Sequence, residues 1–298
     1  MTEPTYKSYY GRPILKEPVW KPEIAWYLFT GGLGGALSGL AFGARLAGNP
    51  TLARRAAILA GAAGAANPVL LVKDLGRPLR FLNMLRVFKI ASPMSVGSWF
   101  VASFGTTSGV AAGCELLRIL PGVRAVSQAS SAALGLGMST YTGALLADTS
   151  IPVWHGARRE LPFVFASGAA MTAGATAVIA TPAAEAGPAR VLALMGAAGE
   201  LANVALMERR LGPLVAEPYH EGESGRYNKI AKALTVAGAA ALAVAGRKRP
   251  GAVAGGALLL TGGALTRWSV FRAGSASARD PKYTVVPQRE RIEARSTR

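Results

Sequence analysis

The chain has 298 residues, of which 51% are hydrophobic, only 16% are charged and 36 are glycine. This composition is too apolar and too rich in glycine for a typical water-soluble domain, so it predicts an integral membrane protein. The formal net charge of +17 would suggest nucleic-acid binding in a soluble protein, but the 33 Lys and Arg residues gather between apolar segments and in the tail. We therefore interpret them as topology signals and expect no nucleic-acid partner.

Cysteine and histidine are scarce. The single cysteine, Cys114, lies in an apolar run, which excludes a disulfide framework and a cysteine-ligated metal cluster within this chain. His155 and His220 lie outside the apolar segments, so we expect no intramembrane haem and no metal site. We interpret His155, which follows the helix breaker Pro152, as a loop residue. The polar N-terminus lacks the short apolar region of a signal peptide, so no cleaved signal is expected.

Eight apolar segments follow a polar N-terminal arm, residues 1–22, which is rich in aromatic and proline residues. Each segment is near the twenty residues that a helix needs to cross a bilayer. The segments cover residues 24–44, 53–72, 94–117, 126–147, 161–181, 188–206, 230–246 and 250–271. We therefore predict an all-α integral membrane protein. Its transmembrane domain, residues 23–272, should contain eight helices arranged as two four-helix bundles. The basic tail, residues 273–298, lacks apolar periodicity and receives no assigned structure.

Lys and Arg residues divide unevenly between the two sides of these segments. The termini and the loops after segments two, four and six hold 24 of the 33, and the remaining loops hold nine. By the positive-inside rule, this bias places both termini in the cytoplasm. We expect a multi-pass protein of the cell (plasma) membrane.

The fourth segment ends in candidate functional side chains. Tyr141, Leu145 and Asp148 stand at i, i+4 and i+7, so they share a helix face that carries a phenol and a carboxyl group. Glu200 is a second candidate because it interrupts the sixth segment, and an acid inside a bilayer is functional by default. The alternatives are a solvated helix end for Asp148 and a structural hydrogen bond for Glu200.

The loop after the second segment is basic and amphipathic. Its sequence from residue 73 is KDLGRPLRFLNMLRVFK, in which a glycine and a proline predict a tight turn. The apolar residues that follow, with Arg and Lys opposite them, are typical of a segment that lies along a membrane surface. Asp74 can pair with Arg77 or Arg80 in this loop.

Three stretches of the chain, taken together, point to a particular protein family more specifically than composition does. They are the arm YYGRPILKEPVWKPEIAWYLFTGGLGG, the loop DLGRPLRFLNMLRVFK with the following SPMSVGSW, and the stretch TGALLADTSIPVWHGARRELPFVFASG. They resemble the polysulfide reductase membrane subunit (NrfD/PsrC) family, strongly over residues 9–175 and only through hydropathy in the last three segments. The resemblance implies an eight-helix membrane anchor that exchanges electrons with a quinone, either menaquinone or ubiquinone. It also implies an iron-sulfur partner subunit and often a molybdopterin catalytic subunit.

The resemblance further implies a place for the quinone. The family's quinone pocket is built from the start of the first segment and a tyrosine on a later segment, and Tyr141 is the counterpart of that tyrosine. Glu23 and Tyr27 occupy the start of the first segment, where this chain has no histidine. Because quinone reduction takes two protons, Asp148 and Glu200 are the candidates for proton transfer.

The basic loop and the arm predict the docking surface for the iron-sulfur partner. Arg77, Arg80 and Asp74 are its expected contact residues, since basic side chains around an apolar strip suit an acidic partner. The catalytic centre would then lie in another chain, which leaves open whether this chain is itself an enzyme. Two other interpretations remain: a secondary transporter or proton channel that uses Asp148 and Glu200, and a purely structural anchor.

Overall fold

A computed structural model describes residues 14–75, 77 and 79–296 of the chain, and over these residues the protein is all-α, as predicted. Eight of the described helices have 20 or more residues: α1 (Pro22–Leu46), α2 (Pro50–Leu75), α4 (Pro93–Leu117), α5 (Pro121–Ala147), α7 (Leu161–Ala180), α8 (Gly187–Ala216), α9 (Gly222–Ala245) and α10 (Arg249–Arg279). Shorter elements connect or follow them: α3 (Arg80–Met84), α6 (Pro152–Gly156), a 3₁₀ turn (Glu217–Tyr219) and α11 (Lys282–Ser296).

Proline begins most of these helices. It stands in the first turn of α1, α4, α5, α6, α7, α8 and α10. At these positions the missing N–H group costs nothing, and the fixed φ angle of proline favours helix initiation. At α4 the hydroxyl of Ser92 also caps the helix by accepting a hydrogen bond from the Ser95 N–H at 3.4 Å. A proline in the first turn thus fixes where each of these apolar helices begins.

Six of the described helices are long and apolar enough to cross a membrane. They are α1, α2, α4, α7, α9, and α8 together with the 3₁₀ turn that follows it. By the same measure, α5 and α10 are long enough but not apolar enough. The chain therefore has the helices of a multi-pass membrane protein.

The long helices pack in two rings. In the first helix group, α1, α2, α4 and α5 each contact two neighbours, and in the second helix group α7, α8, α9 and α10 do the same. Contacts of α7 with α1 and α5 join the two groups. Small residues permit close packing: a Cβ atom at Gly35 of α1 would overlap the backbone of Gly135 on α5.

Hydrogen bonds define two ends of the molecule, which we call the N-terminal face and the far face. At the N-terminal face the Lys21 N–H donates to Asp74 at 3.0 Å, and Arg279 binds Glu17 at 2.7 Å, so the segment of residues 14–21 joins the ends of α2 and α10. At the far face, Arg249 donates to the carbonyl of Thr181 at 3.1 Å. The helices alternate between these two faces along the chain.

The structure differs from the sequence prediction mainly after residue 206. Helix α8 continues ten residues beyond the predicted segment and bends at Gly212, whose φ of 73° lies in the left-handed region, next to Pro213. The tail that received no assigned structure is helical: α10 extends to Arg279, and α11 follows. The turn predicted from Gly76 and Pro78 lies outside the described residues, as do the first 13 residues of the arm.

Helix α11 is held by polar contacts that periodicity does not reveal. Lys282 donates to Glu217 at 2.9 Å, and the hydroxyl of the buried Tyr283 donates to the same carboxylate at 3.2 Å. The hydrogen bond with Glu217 raises the pKa of Lys282 well above its ordinary value. These contacts tie the basic tail to the end of α8.

Candidate functional site

A pocket opens at the N-terminal face of the first helix group. It holds about 620 Å³ of empty space, open mouth included, and is lined by residues of α1 to α5 and of the segment before α1. Its walls are mostly apolar and include Ile24, Leu71, Phe81 and Met94. A few polar groups interrupt these walls, which is the usual composition of a small-molecule site.

Tyr141 of α5 lies in this pocket because α4 has a glycine opposite it. A Cβ atom at Gly97 would overlap the phenol, so glycine at this position lets the ring reach the backbone of α4. There the Tyr141 hydroxyl donates to the Pro93 carbonyl at 2.7 Å, and the ring stacks on Phe100 with centroids 6.0 Å apart. The phenol is therefore fixed, and its oxygen can still accept a hydrogen bond from a ligand.

Tyr27 of α1 lines the same pocket and is only 2% exposed. Among the residues that the structure describes, no hydrogen-bond partner is found for its hydroxyl. A buried phenol usually has such a partner, so Tyr27 can donate to a ligand carbonyl. The structure thus brings together two of the three residues that were expected to bind quinone.

Trp20 forms another wall of the pocket. It stacks on Trp154 of α6 with ring centroids 5.5 Å apart and an interplanar angle of 19°. Trp154 is fully buried and donates its indole N–H to the Val270 carbonyl of α10 at 2.8 Å. The wall of the first-group pocket is therefore supported by the second helix group. Sequence reasoning did not single out Trp20 or Trp154, since a stacking partner 134 positions away leaves no local pattern.

Asp74, which was expected at the docking surface, also lines the pocket. One of its carboxylate oxygens accepts the hydrogen bond from the Lys21 N–H at 3.0 Å. Within the described residues, no ion pair joins Asp74 to Arg77 or Arg80. A carboxylate thus stands where the pocket meets the N-terminal face.

The other predicted acids lie outside the pocket lining. Glu23 pairs with Lys73 at 3.0 Å beside the pocket. Asp148 is exposed and follows the end of α5, one turn beyond the lining residue Leu145. The predicted shared face of Tyr141, Leu145 and Asp148 therefore has its first two members in the pocket and its third at the surface.

The predicted docking loop lies at the same face as the pocket. Arg77 and Arg80 are exposed. Beside them, α3 and the stretch that follows expose large apolar side chains, which are Leu79 (77%), Leu82, Val87, Phe88 and Ile90 (81%). An exposed apolar patch with basic residues around it is typical of a surface that contacts a partner or a membrane.

Glu200 is buried in the second helix group, and it is paired with a cation. Arg267 of α10 approaches its carboxylate at 3.2 Å and also donates to the Phe165 carbonyl at 2.9 Å, with the guanidinium carbon 4.2 Å from the Phe165 ring centre. A Cβ atom at Gly168 would overlap this ion pair, so a glycine in α7 makes room for it. Sequence reasoning missed Arg267, although a charge within the eighth apolar segment was a usable signal.

His155 lies in the short helix α6, not in the predicted loop, and is exposed. One of its ring nitrogens lies 3.3 Å from the Ala147 carbonyl. Among the described residues, no three His, Cys, Asp or Glu side chains come together as a group that could hold a metal ion. The candidate site is the mostly apolar pocket at the N-terminal face.

The fold and the site define an all-α, multi-pass membrane protein with a mostly apolar pocket at one face. Residues 14–274 of the chain match the family described as Polysulphide reductase, NrfD. Since the match covers most of its length, the chain belongs to this family, whose members are membrane subunits of quinone-linked oxidoreductase complexes. A comparison with curated proteins found no match.

Proposed function

We propose that the chain is the membrane anchor of an oxidoreductase complex and exchanges electrons and protons with quinone in the first-group pocket. The observation that carries this proposal is the pocket itself, in which Tyr27 and Tyr141 meet inside mostly apolar walls. An isoprenoid tail needs such apolar walls, and the two quinone oxygens need hydrogen-bond partners. The chain then supplies the quinone site, while the catalytic centre lies in a partner.

The two phenols suit opposite roles toward a quinone head group. The hydroxyl of Tyr27 has no hydrogen-bond partner among the described residues, so it donates to one carbonyl oxygen of the quinone. The Tyr141 proton is engaged with the Pro93 carbonyl, so the Tyr141 oxygen accepts from the hydroxyl of a quinol. Glu23, fixed by Lys73, keeps the start of α1 in place beside the head group. The pair of tyrosines therefore serves both the oxidised and the reduced ligand.

Proton transfer at this pocket involves Asp74 in the proposed mechanism. Its carboxylate lies in the lining and near the water at the N-terminal face, whereas Asp148 lies further out at the surface. Asp74 passes protons to the quinone as it is reduced and takes them from the quinol as it is oxidised, and Asp148 exchanges these protons with water. Asp74→Asn should then lower quinone-linked turnover more than Asp148→Asn.

The basic loop serves as the docking surface for an iron-sulfur subunit, which connects to a molybdopterin catalytic subunit. Arg77 and Arg80 are exposed next to the apolar patch of residues 79–90, at the same face as the pocket. Electrons that leave a cluster docked there have a short path to a head group beside Tyr27. Charge complementarity fixes the register of such a partner.

The eight long helices all span the membrane in this proposal, including α5 and α10, each of which packs between two neighbours of its helix group. Both termini then lie in the cytoplasm, as the 24 to 9 division of basic residues favours. Reporter fusions after residues 122 and 248 should report the outside of a plasma membrane. A cytoplasmic signal at either position would contradict the eight-helix topology.

The test of the function compares three tyrosine variants of the purified complex. Tyr27→Phe and Tyr141→Phe each remove one hydroxyl from the pocket and should lower quinone-linked turnover about tenfold, the value of one good hydrogen bond in a transition state. Tyr227→Phe is the control, since its hydroxyl binds Glu223 on the exposed surface of α9. Reduction of an artificial dye by the partner should not change. Full quinone-linked turnover in both pocket variants would exclude this pocket as the quinone site.

The alternative function is a secondary transporter or proton channel that uses Asp148 and Glu200. Glu200 has a fixed cationic partner, Arg267, and Asp148 is exposed, so these two acids lie apart. Co-purification decides between the two functions. An iron-sulfur subunit retained in detergent supports the anchor, whereas a lone chain that moves solute supports the transporter.

A further inference from the structure

A second cavity opens at the N-terminal face of the second helix group, and we call it the basic groove. It holds about 1540 Å³ of empty space, open mouth included, against about 620 Å³ for the first-group pocket. Its sides are formed by α6, the last turns of α8 and helix α11, and Leu15 of the segment before α1 also lines it. Neither the proposed quinone site nor the docking loop uses this groove.

Packing contacts of three helices build the sides of the groove. A Cβ atom at Gly156 of α6 would lie 2.8 Å from a methyl carbon of Leu211, so glycine lets α6 pack closely on α8. The bend of α8 at Gly212 then turns the last part of this helix. On the α11 side, Tyr283 is buried and donates to Glu217 at 3.2 Å. The groove is therefore a formed part of the fold.

Cationic side chains outnumber acids in the lining, where Glu290 is the only acid among the described residues. Arg210 pairs with the buried Glu160 at 2.7 Å. Within the described part of the chain, no carboxylate pairs with Arg158 or Arg291, whose guanidinium groups donate to nearby backbone carbonyls at 3.4 and 3.0 Å. A guanidinium has five N–H donors, so both arginines keep donors for an anion. The cations of the lining are His155, Arg158, Arg210 and Arg291.

The groove combines these cations with hydroxyl groups and an apolar surface. Ser150 and Thr284 supply hydroxyl groups, and Leu211 and Val215 of α8 supply apolar side chains. Helix α8 is long and apolar enough to cross a membrane, and these two residues lie near its end. They therefore stand where the hydrocarbon of a bilayer meets the polar head groups. A ligand with an anionic head and a hydrocarbon chain matches such a lining.

The first-group pocket has a different charge character. Asp74 is the only charged group among the described residues that line it, and Arg, Lys and His are absent from that lining. A neutral head group suits such walls. The basic groove suits a phosphate ester instead, because a guanidinium group binds two phosphate oxygens through parallel N–H groups. The two cavities thus differ in the ligand chemistry that they favour.

We propose that the basic groove binds an anionic phospholipid, such as phosphatidylglycerol, from the membrane leaflet at the N-terminal face. Arg158 and Arg291, which come from different sides of the groove, bind the phosphate group, and an acyl chain lies along Leu211 and Val215. Free phosphate would leave this apolar surface uncovered, and an acidic protein would have to enter a recess. The inference goes beyond the proposed function, because lipid binding needs neither quinone nor a partner subunit.

The test measures the Kd of phosphatidylglycerol for the purified full-length chain by native mass spectrometry. Arg158→Gln with Arg291→Gln removes both phosphate contacts and should raise this Kd about tenfold. Arg226→Gln with Lys229→Gln is the matched control, since both side chains are exposed near the start of α9, at the same face and outside the groove lining. The control should bind as the wild type does, and phosphatidylcholine should bind the wild type about tenfold more weakly.

Competition at constant ionic strength distinguishes the possible sources of the anionic group. Inorganic phosphate and poly-glutamate are each added in excess to the wild-type chain loaded with phosphatidylglycerol. Neither should displace the lipid. Displacement by inorganic phosphate would assign the groove to a free phosphate, and displacement by poly-glutamate would assign it to an acidic protein. Either displacement would overturn the lipid site.

An equal Kd in the groove variant and the control would also overturn the proposal. If the groove variant does not fold, hydrogen–deuterium exchange of the wild type decides. Helix α11, Lys282–Ser296, should exchange more slowly in nanodiscs of phosphatidylglycerol than in nanodiscs of phosphatidylcholine. Equal exchange in the two lipids would overturn the site. A loss of quinone-linked turnover in Tyr27→Phe changes none of these outcomes.

Discussion

The two helix groups place their polar residues differently. In the second group, the acid Glu200 is buried with a cation, and Arg267 also bonds to a backbone carbonyl. In the first group, the phenol of Tyr27 and the amide of Asn67 have polar atoms without partners among the described residues. Glu200 Oε2 and Arg267 Nε also lack hydrogen-bond partners among the described residues, so the first group differs in that its unpartnered phenol lines a pocket, where it can bind a ligand. We therefore propose that the chemistry takes place in the first group and that the ion pair of the second group is structural.

Breaking the second-group ion pair should give the largest effect. Arg267→Met leaves the Glu200 carboxylate buried without a partner, which should destabilise the chain by about 3–5 kcal/mol. The double variant Glu200→Gln with Arg267→Met removes both charges and should recover much of that loss. The temperature at which each variant aggregates in detergent measures its stability. Equal loss in the single and double variants would mean that the pair has no structural role.

The next effect concerns the fit of Tyr141 against α4. Gly97→Ala places a methyl group where the phenol lies, and such a displacement within the site should lower quinone-linked turnover about 10- to 100-fold. Gly109→Ala on the same helix meets nothing within 4 Å and is the matched control. Turnover by stopped-flow absorbance distinguishes them. Similar activity of the two variants would mean that the position of Tyr141 does not affect the reaction.

Charge reversal at the docking loop should have a moderate effect. Arg77→Glu with Arg80→Glu replaces two exposed cations next to the pocket, so an acidic partner should associate about tenfold more slowly. Arg289 and Arg291 on α11, reversed in the same way, form the comparison variant at the same face. Surface plasmon resonance at two salt concentrations measures association. An unchanged rate in the Arg77 and Arg80 variant would place the partner elsewhere.

The smallest effect is expected at the second-group surface, where Lys282 ties α11 to Glu217. Because the pair raises the pKa of Lys282 above its ordinary 10.5, its stabilisation is complete below that value and is lost only as the pH rises through the higher folded value. Limited proteolysis of α11 should therefore be unchanged from pH 6 to 9. Lys282→Met should accelerate cleavage throughout this range. A wild-type cleavage rate that rises near pH 7 would refute the role of the pair.

Much of the fold follows from hydropathy, and less of the site does. All eight apolar segments lie in long helices because a run of twenty apolar residues has few alternatives to a helix in a bilayer. Tyr141 was found from its helical spacing with Asp148, Tyr27 was found through the family resemblance, and the structure places both in one pocket. The partnerships of Asp74 with the Lys21 N–H and of Glu200 with Arg267 were missed, since each joins residues more than fifty positions apart. Such pairings depend on helix packing, which a single sequence does not encode in a local pattern.

Photolabelling with an azido-quinone is the measurement that tests the central claim most directly. The purified full-length chain is irradiated with the probe, with and without excess unlabelled quinone, and labelled peptides are identified by mass spectrometry. The account predicts protectable labelling within the pocket segments, residues 20–27, 71–75, 94–98 and 141–145. Labelling confined to α7, α8, α9 and α10, or labelling that excess quinone does not reduce, would contradict a quinone site in the first helix group.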